Sequence, residues 1–392
     1  MTQSEKTFGK ASFNEDQLVV AIPHLRLVLG LLEQLDIRIP EQHVEQDPDL
    51  GLALLKFSSD ELRSAVRRPP LQADAGQKSP LDVLVTHLYT RCEDQYGGWT
   101  PTIGKNRSVN KVAGMHTIGV GDEGMPVVVQ EPLAARSARP GRGVAVGVAD
   151  TVLHGNRWLA GAYQAPPADL WPDSSTLPGY QTGHATFVTG MILQEAPGAR
   201  VEVRRVVDDE GFADSWSVAK ALVQFERLGI DVLNLSLGCF TDDNKEPLVL
   251  ATALNRLDPD IVVVVAAGNH AANVDKHRPL WPAALPRVVA VGATNCAGDV
   301  PDWSPGSAQW PWLDVLATGD KVISTFPEGR VRMPEEEQEY NGYALWSGTS
   351  FAAGKVSGAI AAKTVPGRID AATAFRALIE RSEKRHDLPW IR

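Results

Sequence analysis

The segment Ile261-Val-Val-Val-Val-Ala-Ala-Gly-Asn269 joins a continuous apolar run to a glycine and an amide side chain. Such a run, rich in β-branched residues and without polar alternation, is typical of a strand buried on both faces of a sheet. Comparable runs occur at residues 144–149, 201–206, 231–236 and 288–292. Helical patterns separate most of these runs, notably at residues 217–228 and 247–257. The alternation predicts an α/β fold with a mainly parallel sheet covered by helices on both sides.

A smaller α/β unit is predicted ahead of this pattern. Strand-like residues 18–22 are followed by apolar residues with helical spacing over 25–32, and then by strand-like residues 37–39 and 52–57. Pro69-Pro70 interrupts this unit, and the basic, small-residue stretch 135–143 marks a second break. The sequence therefore predicts three parts: a small α/β unit over 1–68, a linker or extension over 69–140 and a large domain over 141–392.

Charge and cysteine content limit the partners and the compartment. The chain has 392 residues, with 48 Asp and Glu against 38 Lys and Arg, so its net charge is -10. An acidic chain is a poor match for nucleic acid or anionic lipid. The three cysteines are odd in number and widely spaced, which indicates a reducing compartment and no metal pairing. We expect a cytoplasmic protein with no cofactor, no metal, no membrane span and no nucleic-acid partner.

Polar side chains lie where the predicted strands end and two helices begin. Asp150 and Asn269 each follow a buried strand, whereas His184 and Ser350 each stand at the start of a helical segment. The carboxyl ends of parallel strands meet at one edge of a sheet, so we expect these four residues to lie together. A hydroxyl nucleophile, an imidazole base, a carboxylate that orients it and an amide donor are the components of acyl transfer. The Ser350 backbone N–H is a second candidate donor at the helix start.

Five ordered segments make the resemblance to a known family specific. The chain resembles the subtilisin-like serine proteases, or subtilases, which cleave peptide bonds. The matching segments are Asp150-Thr151, His184-Ala-Thr-Phe-Val-Thr-Gly190, Asp231-Val-Leu-Asn-Leu-Ser-Leu-Gly238, Ala266-Ala-Gly-Asn269 and Gly348-Thr-Ser-Phe-Ala-Ala353.

The resemblance implies a role for each matched residue. Asp150, His184 and Ser350 would be the catalytic triad, and Asn269 would be the oxyanion donor. The two walls of the substrate pocket would come from Ser236, Leu237 and Gly238 on one side and from Ala266, Ala267 and Gly268 on the other. Residues 210–216 would be an edge segment that pairs with an extended peptide.

The resemblance also suggests a role for the N-terminal part. Many subtilases carry a small α/β propeptide that assists folding and blocks the active site, and the unit predicted over 1–68 fits that pattern. The chain would then be a zymogen, with a peptide or protein substrate and its own N-terminal region as an intramolecular inhibitor. Processing would fall before Gly143, with Arg136, Arg139 and residues 113–116 as open candidates.

The sequence departs from the family pattern at several positions, and each departure leads to an expectation about the structure. Val152 and Ala185 replace glycines that supply no catalytic atom, so both replacements are tolerable. Gly354 and Lys355 stand where proline and histidine are usual, which predicts a looser start of that helix. The segment after the histidine motif lacks the Asn-rich calcium loop of many members, so no calcium site is expected there.

Two other functions remain open from the sequence. A catalytically degenerate member would bind peptides without cutting them, although the complete set of catalytic residues argues against this. A sedolisin-like acid peptidase shares Ser-Gly-Thr-Ser but uses other residues where His184 and Asn269 stand. The small residues at Ser236, Gly238 and Gly268 also have a simpler interpretation, which is close packing.

Overall fold

The computed structural model describes residues 12–74, 78–111, 124–130, 133–136, 139–172, 176–272, 277–306 and 309–392. Its helices are α1 (Leu25–Glu33), α2 (Ser59–Ala65), α3 (Pro80–Gln95), α4 (His184–Glu195), α5 (Ser215–Gln224), α6 (Leu248–Arg256), α7 (Thr349–Lys363) and α8 (Ala371–Arg381). Its strands are β1 (Phe13–Ala21), β2 (Val44–Asp47), β3 (Leu52–Lys56), β4 (Ile103–Lys111), β5 (Val127–Val128), β6 (Ala145–Asp150), β7 (Tyr163–Gln164), β8 (Arg200–Arg205), β9 (Phe212–Asp214), β10 (Val232–Leu235), β11 (Leu237–Gly238), β12 (Val262–Ala266), β13 (Val289–Thr294), β14 (Val315–Thr318), β15 (Val322–Arg332), β16 (Glu337–Trp346), β17 (Glu383–Arg385) and β18 (Leu388–Ile391).

The N-terminal unit is an antiparallel sheet in the order β4-β1-β3-β2, covered by helices. Its buried residues come from β1, α1, β3, α2, α3 and the start of β4, and form one apolar cluster. The unit is thus larger than predicted, because α3 and β4 lie in the supposed linker of 69–140 yet complete this core.

One predicted strand of this unit is wrong. Residues 37–39 are not a strand, and β2 lies further along at Val44–Asp47. The Ile37 N–H donates to the Leu32 carbonyl at the end of α1, and the Ile37 side chain is buried. The apolar character of this segment therefore comes from packing at a helix end and not from pairing in a sheet.

The large domain is built on a mainly parallel sheet. Among the described residues nine strands follow the order β17-β18-β14-β13-β12-β10-β6-β8-β7, and every pair is parallel except β17 with β18. The five runs predicted as buried strands correspond to β6, β8, β10, β12 and β13. The predicted α/β class is therefore what the structure shows.

Helices cover both faces of this sheet because its strands alternate their side chains between two cores. Val146 and Val148 of β6 lie in an apolar cluster with α4 and α7. Ala145 and Ala149 of the same strand lie in a second cluster with α5 and α6. A separate sheet, in the order β15-β16-β5, packs on the outer side of α4.

Two glycines bring α7 against α4. A Cβ atom on Gly358 would lie 2.5 Å from the Ile192 carbonyl oxygen, and one on Gly354 would lie 3.1 Å from Met191 Cβ. The looser helix start predicted from Gly354 and Lys355 is not observed, because α7 runs unbroken from Thr349. Close contact with α4 offsets the low helix propensity of glycine at these positions.

We expect Gly358→Ala to destabilise the protein by about 1–3 kcal/mol, because the added methyl group must displace backbone atoms of α4. The matched control is Gly30→Ala in α1, where nothing lies within 4 Å of the new Cβ. That change should stabilise the protein by up to about 1 kcal/mol through helix propensity. Urea unfolding of both variants measures the difference, and an equal response of the two would contradict the packing argument.

Candidate active site

Asp150 and His184 form a buried carboxylate–imidazole pair. Asp150 is the last residue of β6, and His184 is the first residue of α4. His184 Nδ1 lies 2.7 Å from Asp150 Oδ1 and 2.9 Å from Oδ2. Since an ionised carboxylate only accepts hydrogen bonds, Nδ1 carries the hydrogen and Nε2 of the neutral ring keeps its lone pair.

Thr151 fixes the position of this pair. Its backbone N–H donates to Asp150 Oδ1 at 2.6 Å, and its hydroxyl accepts from the Ala185 N–H at 3.0 Å. The same hydroxyl lies 3.2 Å from the Thr182 carbonyl oxygen, to which it donates. One side chain therefore joins the end of β6 to the first turn of α4.

Ser350 lies in the first turn of α7, close to His184. The ring of Phe351, the next residue, has its centroid 5.5 Å from that of His184. Ser350 Oγ and His184 Nε2 are both buried, and neither has a hydrogen-bond partner among the described residues. Buried polar atoms without partners are rare in folded proteins, so two of them at one place indicate a functional site.

Asn269 directs its side-chain amide toward the start of α7. Its Oδ1 accepts from the Thr349 backbone N–H and from the Thr349 hydroxyl, both at 3.0 Å. These two donors fix which end of the amide is oxygen. The Nδ2 atom lies 3.6 Å from an ideal Cβ built on Gly348, so the NH₂ group borders the Ser350 turn. The four residues predicted to lie together, Asp150, His184, Asn269 and Ser350, are grouped in this way.

Asn234 joins β10 to α7 and to Ser236, a connection that the sequence argument missed. Its Oδ1 accepts from the Ser357 hydroxyl of α7 at 3.0 Å, and its Nδ2 donates to the Ser236 hydroxyl at 3.2 Å. Asn234 is completely buried in β10. An amide within an otherwise apolar buried strand was the available signal, because such a group needs buried partners.

A glycine in each predicted pocket wall packs against the Leu280 side chain. A Cβ on Gly238 or on Gly268 would lie 2.8 Å from an atom of the Leu280 side chain. Gly268 also has a φ of +100°, which favours glycine, and its N–H donates to the Thr349 hydroxyl at 3.1 Å. Close packing thus explains the glycines at Gly238 and Gly268, and a pocket role for the walls remains a prediction.

The subtilase family model matches residues 141–387. The chain belongs to the subtilase family. It is 31% identical over 189 residues to a thermophilic serine proteinase of Bacillus sp. (strain AK1), which covers 48% of this chain and 40% of that protein. It is 30% identical over 247 residues to Subtilisin Savinase of Lederbergia lenta, which covers 59% of this chain and 80% of that protein.

Solved structures give the same fold. A lanthipeptide protease is 26% identical, with a TM-score of 0.51, over 61% of this chain and 80% of that one. Fervidolysin from Fervidobacterium pennivorans is 18% identical, with a TM-score of 0.62, over 98% of this chain and 60% of that one. The chain spans 40% to 64% of the length of four Bacillus relatives.

The groove between β9 and β11, which is predicted to bind an extended substrate, holds a strand of the chain's own N-terminal unit. Antiparallel pairing joins β4 to β9 through Val109↔Ala213 and to β11 through Asn110↔Gly238. The segment 210–216, predicted to pair with an extended peptide, supplies β9, and the predicted wall supplies β11. The groove is therefore occupied on both edges by Ser108 to Lys111.

Lys111 ends this strand beside the Asp150–His184 pair. Its backbone N–H donates to the Gly211 carbonyl at 2.9 Å, and its amine donates to the Gln181 carbonyl at 3.2 Å. Burial lowers the pKa of Lys111 from 10.5 to about 7, although the carboxylates of Asp150 and Asp208 act in the opposite direction. Residues 113–116, one of the predicted processing positions, lie outside the described residues.

Within the described residues no group of three or more His, Cys, Asp and Glu side chains is arranged to hold a metal ion. In that same part of the chain no helix has the length and apolar character needed to cross a bilayer. The helix after the histidine motif, α4, is continuous from His184 to Glu195.

The lowered pKa of Lys111 predicts that β4 binds the groove more tightly as the pH rises. Between about pH 7 and the ordinary pKa of 10.5 the amine loses its proton on docking. Docking of β4 therefore becomes more favourable as the pH rises across that range, and it is weakest below pH 7. Lys111→Met removes this dependence. We expect the protection of β4 amides against hydrogen exchange, relative to that variant, to rise about tenfold to a hundredfold between pH 7 and pH 9.

The measurement is best made in a Ser350→Ala background, where the chain stays intact. Lys384→Met is the matched control, because the Lys384 side chain is exposed. A constant ratio between the Lys111 and methionine chains across this pH range would show that the amine keeps its proton in the groove.

Proposed function

We propose that the chain is a serine endopeptidase with Asp150, His184 and Ser350 as its catalytic triad. The observation that carries the proposal is the buried Asp150–His184 pair beside Ser350, with His184 Nε2 and Ser350 Oγ both left without partners. Family membership supports the same chemistry. Asn269 and the Ser350 backbone N–H are the donors for the oxyanion.

Each group has a defined task in peptide hydrolysis. Ser350 Oγ attacks the carbonyl carbon of the peptide bond while its proton passes to His184 Nε2. The C–N bond then breaks, His184 gives that proton to the leaving amine, and an acyl group stays on Ser350. Water, deprotonated by His184, attacks this ester and releases the carboxylic acid with Ser350 restored. Asp150 holds the ring by Nδ1 and stabilises the transient imidazolium.

Substrate binding follows from the edges of the groove. An extended peptide would lie between β9 and β11, as Ser108 to Lys111 do, so recognition uses strand addition. Ser236, Leu237 and Gly238 would form one wall of the pocket for the side chain before the scissile bond. Ala266, Ala267 and Gly268 would form the other.

The N-terminal unit acts as an intramolecular inhibitor in this proposal, and the chain is a zymogen. Support comes from the pairing of β4 with both edges of the groove, which excludes a second peptide from the same hydrogen bonds. The inhibitory unit covers residues up to Lys111. The processing region then follows β4, which favours residues 113–116 over Arg136 and Arg139.

Precursor or regulatory peptides in the cytoplasm are the proposed substrates. Similarity to a lanthipeptide protease supports a peptide substrate. Three free cysteines support a reducing compartment: Cys92 and Cys239 are buried, and Cys296 is exposed. Burial raises the pKa of Cys239 to about 12, which makes it unreactive beside the groove.

Ser350→Ala should abolish both self-processing and labelling by a fluorophosphonate, because no other group supplies the nucleophile. Intact mass of the purified proteins is the readout, with a shortened wild type and a full-length variant expected. Ser347→Ala is the control, since the Ser347 hydroxyl is engaged with Asp320 at 2.8 Å and lies outside the triad. Wild type that binds peptides yet is never labelled would instead indicate a degenerate member of the family.

Asn269→Ala should lower kcat by about 10²–10³-fold with little change in KM, the usual cost of removing one oxyanion donor. Steady-state kinetics on a chromogenic peptide gives both constants. Because Asn269 also holds the Thr349 N–H, Thr349→Ser serves as a control that keeps the hydroxyl partner. An unchanged kcat in the Asn269 variant would remove this residue from the mechanism.

A further inference from the structure

We propose that the groove contains a subsite that takes an unbranched side chain of about four carbons and rejects an acidic one, at the substrate position that Lys111 now occupies. The inference rests on the proposed peptidase function and adds a specificity to it. The side chain taken would be a lysine whose amine is neutral when bound, or an uncharged chain of the same length.

The backbone of Lys111 is bound as a substrate backbone would be. It is paired with Leu237 on one side, and its N–H donates to the Gly211 carbonyl on the other at 2.9 Å. Since side chains alternate along a strand, Lys111 and Val109 point to the same face, and both are buried. The groove thus has a defined position for the side chain of this residue.

Gly211 makes room for the stem of the lysine. A Cβ on Gly211 would lie 2.6 to 2.8 Å from Cδ, Cγ and Cε of Lys111. The absence of a side chain at this edge therefore lets an unbranched aliphatic chain pass along the backbone. A β-branched or short side chain would leave this passage unfilled.

The far end of the passage presents acceptors and negative charge. The Gln181 carbonyl accepts from the amine at 3.2 Å, and the Tyr180 ring centroid lies 6.0 Å from it. The carboxylates of Asp150, at the end of β6, and Asp208, in the loop before β9, act on the same amine. A hydrogen-bond donor is satisfied here, whereas a carboxylate would meet two like charges and a carbonyl oxygen.

Asp208 offers a clean way to change the charge of this subsite. Its Oδ1 accepts from the Glu210 N–H at 3.1 Å and from the Phe212 N–H at 2.8 Å. Asp208→Asn keeps an oxygen for both donors and removes only the charge. Asp209→Asn is the matched control, because Asp209 is an exposed neighbour paired with Arg205.

The first experiment measures kcat/KM of the self-processed wild-type enzyme on peptides that copy residues 108–115, Ser-Val-Asn-Lys-Val-Ala-Gly-Met. The lysine is replaced in turn by norleucine and by glutamate, and each peptide is measured at pH 7 and at pH 9. We expect the lysine-to-norleucine ratio to rise about tenfold to a hundredfold between these pH values, because the amine must lose its proton to bind, and we expect lysine to exceed glutamate by more than about tenfold at pH 9. Asp208→Asn should reduce the lysine-to-glutamate ratio severalfold, and Asp209→Asn should leave it unchanged.

The second experiment does not depend on activity. In full-length chains that carry Ser350→Ala, hydrogen exchange of the amides of residues 108–111 reports occupancy of the groove. Lys111→Glu should accelerate this exchange at least about tenfold. Lys78→Glu, the same charge change on an exposed residue of the same unit, should not.

The outcomes separate this inference from the proposed function. Equal cleavage of the three peptides in a Ser350-dependent reaction would overturn the subsite while leaving the peptidase intact, whatever the exchange data show. If no peptide is cleaved, the proposed function fails and the exchange experiment alone decides whether the groove rejects an acidic side chain.

Discussion

The contact between α4 and α7 determines the geometry of the proposed catalytic centre. The helix α4 begins at His184, and Ser350 lies in the first turn of α7. Their separation therefore depends on how closely the two helices approach. Gly354 and Gly358 remove the side chains that would hold them apart, and on the other side of α4 a Cβ at Gly190 would lie 2.3 Å from the hydroxyl oxygens of Ser324 and Thr325. The helix that carries the imidazole is thus fixed from both sides by small residues.

Burial of charge is the second constraint. Asp150 is only 2% exposed, so its carboxylate has lost almost all contact with water. Hydrogen bonds from the Thr151 N–H and from His184 Nδ1 compensate for this loss. His154 is also buried but carries no charge. Burial lowers its pKa to about 3, so the ring stays neutral, and it forms a hydrogen bond with Thr182. The region around the proposed triad therefore contains one carboxylate held by hydrogen bonds and, in His154, a neutral histidine.

Much of this architecture was predictable from local sequence, and the reason is physical. Strands buried on both faces must be apolar throughout, so β6, β10 and β12 stand out as continuous runs. Asp150, His184, Asn269 and Ser350 follow from their positions at the ends of such elements. The segment that occupies the groove was not predictable, because β4 has the polar sequence Ile-Gly-Lys-Asn-Arg-Ser-Val-Asn-Lys and carries no periodic apolar signal.

What stabilises β4 is contact with residues far away in sequence. The Asn106 side chain donates to Asp214 and accepts from the Trp216 N–H, and Arg107 pairs with Asp242. These partners lie more than 100 positions further along the chain. They allow a polar strand to be buried although the sequence of the strand itself gives no sign of it. The strand predicted at residues 37–39 was wrong for the converse reason. The apolar side chain of Ile37 packs at the end of a helix, and a short apolar run does not distinguish that position from a strand.

The position of β4 also determines how the groove can be emptied. Its first residue, Ile103, belongs to the core of the N-terminal unit, whereas Val109 belongs to a core of the large domain. The strand is therefore held by β1 on one side of the unit boundary and by β9 and β11 on the other. Cutting the chain after Lys111 breaks none of these pairs. Release of the groove requires the whole N-terminal unit to leave or to unfold, so in the proposed zymogen the stability of that small core would control access to Ser350.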